Sequence, residues 1–394
     1  MKILHTADWH LGVTLGTVTD RSQEQRNSLQ QIADYLQTHR VEVMIVAGDL
    51  FHHQRRQQQE SIKLIKEIFL PFLKQGGHIV AVTGNHDNAS YCQGLRSMMD
   101  MVTEGVGRFH LAPQPETVTI GQVQFVLMPY PLVNLYLTET EMNYETNLER
   151  RQLINQGYRQ KLDSLASTLN PNQPKILVGH LHDSRIGGVY GYRMNQEDEI
   201  SITVNALEQN WNYVAYGHIH EAQAIAGHQS MRYAGSVIRI DAGERNQQKS
   251  AVLLEIEPDG QINYLEELPI TCPPIYHIEI NADDLDYDVL RQRYPEADQA
   301  LVQYKLNYDS NRHNLYQINR QLEKVFPRCY DRQTIDLQQS RQLESFEEEI
   351  DFDNVRQTVQ EYLMTQLMTD SNLAEVLQVA DQLITEVVEQ GDTV

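Results

Sequence analysis

The sequence predicts an α/β fold in which a sheet is covered by helices. Over residues 1 to about 270, near-continuous apolar runs read as buried strands, and segments of helical period lie between them. A further observation concerns where those strands stop. Five short polar blocks occur there: Asp8-Trp9-His10, Gly48-Asp49-Leu50-Phe51-His52, Gly84-Asn85-His86-Asp87, Gly179-His180 and Gly217-His218-Ile219-His220.

The elements follow in order. Lys2 to Ala7 is a first strand, and Asp8-x-His10 follows it. Alternate residues of an extended segment point the same way, so Asp8 and His10 are expected to share one side. Gln23 to Leu36 has helical character, and Val41 to Ala47 is an apolar strand broken by Gly48-Asp49. The glycine permits a tight turn and leaves Asp49 at the strand tip, where a carboxylate can bridge two cations. A helix from Glu60 to Leu73 ends at Gly76-Gly77, and the strand His78 to Thr83 runs into Gly84-Asn85-His86. Lys175 to Val178 is closed by Gly179-His180, and Tyr213 to Tyr216 by Gly217-His218-x-His220. The last two imidazoles are again expected on one side of an extended segment. Ser250 to Ile256 belongs to an antiparallel meander that turns at Pro258-Asp259-Gly260.

Each block taken singly has a bland explanation. A strand-end Asp is usually a cap or turn residue, Asn85 a turn former, and a lone His a surface or satisfied core residue. Five such blocks, four with a glycine directly before a ligand-type residue, are not five coincidences. Two carboxylates, an amide and several imidazoles suit two divalent cations of the manganese, iron or zinc type. Imidazole favours transition metals, and carboxylates with open water positions suit manganese. Paired cations are a recurrent device for in-line attack of water on a phosphate ester, which needs no serine or cysteine nucleophile.

The ordered blocks resemble the calcineurin-like metallophosphoesterase superfamily. His52 stands where the serine/threonine phosphatases of that superfamily carry an Asp. Thr6-Ala7-Asp8-Trp9-His10-Leu11-Gly12, Ala215-Tyr216-Gly217-His218-Ile219-His220, and Tyr233-Ala234-Gly235-Ser236 running into Ile238 to Glu244 narrow the likeness. They resemble the SbcD-type nuclease family of DNA double-strand-break repair. One departure is Val237, where that family usually has proline after Gly-Ser.

The resemblance implies a β-sandwich flanked by helices (residues 1–270), a small α/β capping domain (275–337) and a helical ATPase-binding tail (350–390). It implies two divalent metal ions, manganese in the first place. Asp8, His10 and His220 would hold one, Asn85, His180 and His218 the other, with Asp49 bridging. His86 would act on the departing oxygen and His52 would orient the phosphate. His53 and His182 receive no role and are expected to face solvent. The implied partner is an SbcC-type coiled-coil ABC ATPase, with a homodimer of this chain inside a heterotetramer. The implied substrates are double-stranded DNA ends and hairpins. Cutting would be 3′–5′ exonucleolytic and endonucleolytic, in repair, recombination and replication.

The remaining composition is compatible with that. Three cysteines, Cys92, Cys272 and Cys329, are too few and too scattered for a disulfide framework. No basic region followed by an apolar core opens the chain and no apolar stretch approaches the ~20 residues of a membrane span, so a cytoplasmic, nucleoid-associated protein with no membrane partner is expected. The net charge of −22 argues against a basic nucleic-acid groove. However, residues 331–394 hold 15 acidic and 3 basic residues, a net of −12. Arg55-Arg56 is the candidate DNA-phosphate contact, with a solvated pair as its equal rival.

Thr271-Cys272-Pro273-Pro274 reads as a boundary. Beyond it, Ile275 to Ile280 alternates as a half-buried strand, Asp283 to Arg293 reads as a helix, Leu301 to Tyr308 as a strand and Asn311 to Val325 as a helix. The tail has apolar stripes at Val355, Val359, Tyr362, Leu363 and Leu367, and at Leu373, Val376, Leu377, Ala380, Leu383, Ile384, Val387 and Val388. Such stripes pack on their own domain or enter a partner's groove. The chain has no Gly-x-x-x-x-Gly-Lys-Ser/Thr string, so any ATP use belongs to a partner. Two other readings stay open at this point: a calcineurin-like phosphodiesterase acting on a small phosphoester, and a scaffold with a relic site.

Overall fold

The structure is a computed structural model that describes residues 1–52, 58–102, 107–139, 141–185, 200–202, 211–338, 359–360, 363–364 and 376–384. Arg55, Arg56, His53 and, of the two tail stripes, Val355, Tyr362, Leu367, Leu373, Val387 and Val388 lie outside the described residues.

Apolar strands and amphipathic helices assemble as their patterns require. β1 (Lys2–Thr6), β2 (Val43–Ala47), β3 (His78–Val82) and β4 (Phe109–Ala112) alternate with α1 (Ser22–Thr38), α2 (Gln58–Lys74) and α3 (Ala89–Val102). After β5 (Glu116–Ile120), β6 (Val123–Met128), α4 (Val133–Tyr136) and α5 (Asn147–Ala166) come β7 (Lys175–His180), β8 (His182–Asp183) and β9 (Ser201–Ile202). β10 (Tyr213–Gly217), β11 (Gln223–Ile225), β12 (His228–Tyr233), β13 (Lys249–Ile256) and β14 (Ile262–Ile270) follow.

Two six-stranded sheets result, ordered β14-β13-β1-β2-β3-β4 and β11-β12-β10-β7-β6-β5. In the first, β1 to β4 are parallel, while β13 and β14 add antiparallel at the β1 edge. In the second, β6, β7, β10 and β12 are parallel. Period-two alternation gives each sheet two apolar faces. The inner faces meet: Ile3, Val43, Ile45, Val80 and Val82 share one core with Phe125, Leu127, Ile176, Val178 and Ala215. The outer face of the first sheet packs under α1 to α3 through Leu4, Met44, Val46, Leu29, Ile32, Ile65 and Phe69. The outer face of the second packs under α4 and α5 through Val126, Leu177, Tyr216, Tyr136, Ile154 and Tyr158. The result is the helix-flanked sandwich expected above.

The chain then forms β15 (Ile275–Asn281), α6 (Tyr287–Arg293), β16 (Leu301–Tyr308), α7 (Leu315–Val325) and β17 (Cys329–Asp336), the strands ordered β15-β16-β17. Two expected helices are shorter than their sequence pattern. Leu285 is extended, so a 3-10 turn at Ala282–Asp284 is separated from α6. Residues 311–313 belong to a turn, because Asp309 accepts from the N–H groups of Asn311, Arg312 and His313. Asn314 Oδ1 then takes the Gln317 N–H at 3.1 Å and starts α7. The chain divides into two compact units, one of Met1–Ile278, Tyr287–Tyr304 and Glu323–Asp331, the other of Glu279–Asp286, Lys305–Leu322 and Arg332–Val394. No helix among the described residues is long and apolar enough to cross a membrane.

Trp9, the middle residue of the first block, stacks on Phe69 of α2 with ring centroids 5.3 Å apart, and both rings are fully buried. Phe69→Ala is expected to destabilise the fold by about 3–5 kcal/mol in urea unfolding. Leu148→Ala, on a side chain 64 % exposed, should stay within about 0.5 kcal/mol.

Candidate metal centre and active site

The five blocks meet because the strands they terminate are neighbours. Asp8, Asp49 and Asn85 follow β1, β2 and β3, which are adjacent and parallel. His180 ends β7 and His218 follows β10, adjacent and parallel in the second sheet. Carboxyl ends of parallel strands are where such sheets place their ligands. His180 Nδ1 donates to Ala47 O across the sandwich at 2.8 Å, tying the two edges together.

The side chains converge by a different local geometry from strand alternation. β1 stops at Thr6, and Asp8 and His10 both lie in left-handed backbone, at φ 52° and 43°. Asp49 (φ 52°) and His218 (φ 96°) do the same. These conformations are unfavourable for residues with a Cβ. Backbone bonds hold them: Asp8 N donates to Gly48 O and His10 N to Asp49 O, so the two loops continue the β1–β2 pairing beyond the strands.

One end of the cluster is formed by Asp8, His10 and His220, whose ligand atoms all lie within 4.8 Å of one another. At the other, Asn85 Oδ1 is 3.0 Å from His180 Nε2 and 3.1 Å from His218 Nδ1. Asp49 lies between them: its Oδ2 is 3.3 Å from His10 Nε2 and 3.4 Å from His180 Nε2. Asp8, Asp49 and His180 form a further group of the same compactness. Asp8, His10, Asp49, His180 and His220 are buried, while His52, Asn85, His86 and His218 are partly open.

Asn85 and His86 diverge. His86 stacks on His52, centroids 5.0 Å apart and planes 17° apart, and meets the edge of His10 at 4.7 Å. His10 Nδ1 and His52 Nδ1 are 3.3 Å apart. His182, expected to face solvent, is half-buried in β8, which pairs with β9 and is thereby covered.

The comparisons with known proteins agree on one family. The family model described as calcineurin-like phosphoesterase matches residues 1–222. The chain is 30 % identical over 288 residues to the SbcD component of the SbcCD nuclease of Escherichia coli (strain K12), covering 69 % of this chain and 70 % of that protein. It belongs to the SbcD family of calcineurin-like phosphoesterases. The SbcD proteins of Staphylococcus epidermidis, 26 % identical over 299 residues (74 % and 75 % covered), and Bacillus subtilis (strain 168), 27 % identical over 303 residues (70 % and 71 %), are similar to it over comparable shares.

An SbcD-family phosphoesterase uses divalent cations, and these residues fit them. His180 Nε2 faces both Asn85 Oδ1 and Asp49 Oδ2, two acceptor oxygens that need a proton or a cation between them and the ring nitrogen. His10 Nε2 is buried without a hydrogen-bond partner. Protonation states fit the same picture. Burial opposes charge on His180, but the carboxylates of Asp49 and Asp8 outweigh it and hold its pKa up to about 9. Burial would raise Asp49, yet the imidazoles of His180 and His10 hold it well below the carboxylate range. Burial pushes His10 well below the usual imidazole value and pushes Asp8 up. A cation replaces the shared protons in such a cluster.

Three residues escape a reading based on ligand types. Asp87 carries the block's last side chain away from the cluster and accepts the N–H groups of Leu50 (3.2 Å), Phe51 (2.9 Å) and Gly84 (2.9 Å), clamping two ligand loops. Glu244 Oε1 is 2.8 Å from His220 Nδ1, and Lys249 Nζ is 2.6 Å from Glu244 Oε2. Glu244 sits in one of the strings that carry the family likeness, but only the fold brings it to His220.

The glycines before Asp49 and Asn85 leave room for neighbouring side chains of the cluster. A Cβ on Gly84 would lie 2.1 Å from Asp49 Oδ1 and 2.5 Å from Asp49 N. On Gly48, at φ +89°, it would lie 2.2 Å from His180 Nδ1. Gly84→Ala is therefore expected to displace Asp49 while circular dichroism shows a folded chain. Plasma mass spectrometry should find less divalent metal bound than in the wild type.

Proposed function

We propose that this protein is the nuclease subunit of an SbcCD-type complex, a dinuclear, manganese-dependent DNA phosphodiesterase acting in repair and recombination. The observation that carries the reading is Asp49 lying between two ligand groups with the His52–His86 pair beside the first. Asp8, His10 and His220 would hold one cation, Asn85, His180 and His218 the other, and Asp49 both. When bound, the pair supplies Lewis-acid polarisation of the phosphoryl group and a water acidic enough to attack at neutral pH.

The chain's own residues do the rest. His86 holds a proton for the departing oxygen, and its partial exposure beside a buried cluster suits a group that must meet substrate. His52, stacked on it, fixes that ring and offers a donor to a non-bridging oxygen. Burial of Asp8, Asp49 and His180 keeps water from screening the charges that stabilise the transition state.

The relatives are named as subunits of the SbcCD nuclease, which supports an SbcC-type partner; an ATPase activity of that partner, a cytoplasmic setting and DNA ends as substrate belong to the same proposal. Residues 275–337 would serve as the DNA-selecting cap and 350–390 as the docking tail. Within the tail, residues 376–384 are helical, and Val379 and Leu383 are 54 % and 56 % exposed. That is apolar surface available to a partner's groove.

Two tests follow. His86→Ala should keep two bound manganese ions and lose hydrolysis of bis(p-nitrophenyl) phosphate by roughly 10²–10⁴-fold, whereas Asp49→Ala should lose both metal and activity. Metal loss in His86→Ala would make it a ligand instead. Leu383→Glu alters an exposed side chain, so the full-length variant should hydrolyse the small substrate at the wild-type rate. It should fail to co-purify with the ATPase and lose ATP-dependent cutting of end-labelled duplex, because a charge buried in an apolar contact costs several kcal/mol. Retention of the complex would remove that face from the docking surface.

A further inference from the structure

His220 is gripped more firmly than its role as one of several imidazoles requires. Its Nδ1 lies 2.8 Å from Glu244 Oε1, which leaves Nε2 for the Asp8–His10 group. The other Glu244 oxygen accepts from Lys249 Nζ at 2.6 Å, Ile240 N at 3.1 Å and Ser236 Oγ at 3.2 Å. Lys249 Nζ reaches on to the backbone oxygen of His220 at 3.0 Å and to Gln247 Oε1 at 2.7 Å. The ring and the backbone of His220 are thus tied to the same ion pair.

Glu244 and Lys249 are each 1 % exposed. A buried ion pair contributes little net stability compared with apolar side chains of similar size, so its presence calls for another reason. A carboxylate behind a ligating imidazole supplies one: it fixes the tautomer and the ring plane, and it raises the basicity of the nitrogen facing the metal. The other ligand set is built differently. His180 Nδ1 is backed by the neutral Ala47 carbonyl, and Asn85 contributes a neutral oxygen.

We propose that Glu244 is a positioning residue that locks His220 as an Nε2 ligand and tightens the first cation position selectively, with Lys249 anchoring Glu244. This rests on the ligand sets proposed above. It predicts two cation positions of unequal strength, with the Asp8–His10–His220 position the one that depends on Glu244.

The test is a calorimetric titration of manganese into metal-free full-length protein, with hydrolysis of bis(p-nitrophenyl) phosphate followed against manganese concentration. Wild type should bind two ions. Glu244→Gln should weaken one of them by about 10–100-fold and leave the other at its wild-type affinity. Its half-saturating manganese concentration should rise accordingly, with kcat returning to within a few-fold of wild type at saturation. Should the lone buried ammonium prevent folding, the double variant Glu244→Gln, Lys249→Gln removes both charges and should show the same selective loss. Unchanged affinity at both positions, or equal weakening of both, overturns the proposal. A wild-type protein that binds fewer than two ions overturns the ligand sets themselves.

Discussion

Two carboxylates and several imidazoles are buried where the parallel strands of two mixed sheets end, and that burial constrains everything around it. Ionised groups taken from water cost many kcal/mol unless compensated. Asp8, Asp49, His10 and His180 are at most 1 % exposed; the backbone N–H groups of His218 and His86 donate to the Asp8 and Asp49 carboxylates, and shared protons or bound cations supply the rest of the compensation. The neighbouring architecture serves this cluster. Strand order brings β1, β2 and β3 beside one another and β7 beside β10. Four proposed ligand residues, Asp8, His10, Asp49 and His218, lie in left-handed backbone, each at a cost of order 1–3 kcal/mol, and hydrogen bonds from the N–H groups of Asp8, His10 and His218 hold three of them there.

The site is asymmetric in a way that suits phosphoester chemistry. Its closed side is buried and carries both carboxylates, built from Asp8, His10, Asp49 and the carboxylate-backed His220. Its partly open residues are Asn85, His218 and the stacked His52–His86 pair. In the proposed function the buried residues would hold the cations and the partly open His52–His86 pair would meet the substrate. The acidic excess of residues 331–394 is separate in sequence from every proposed ligand, so the chain's net charge says little about the local field at the site.

The sheet strands that end in ligand blocks were legible because a continuous apolar run followed by glycine and a polar residue marks a buried strand tip. The convergence of Asp8 with His10 was legible, but its cause was not. Period-two alternation suggested a shared side, whereas the turn past Thr6 does the work through positive φ at both residues. β17 was not recognised because Cys329–Asp336 is mostly polar and buries one side chain, Tyr330. The start of α7 was read too early because Asp309 diverts three N–H groups into a turn, a choice no periodicity records. Glu244 and Lys249 carry no ligand spacing of their own, and their connection to His220 exists only in three dimensions.

The central claim is that the blocks form one dinuclear centre with Asp49 between its two halves. The most direct measurement is anomalous X-ray diffraction, at the manganese edge, from crystals of the full-length protein grown with manganese. Two peaks should appear, one among Asp8, His10 and His220 and one among Asn85, His180 and His218, with an Asp49 oxygen in contact with both. A single peak, or a peak held by His10, His52 and His86 in place of the first, would contradict the account.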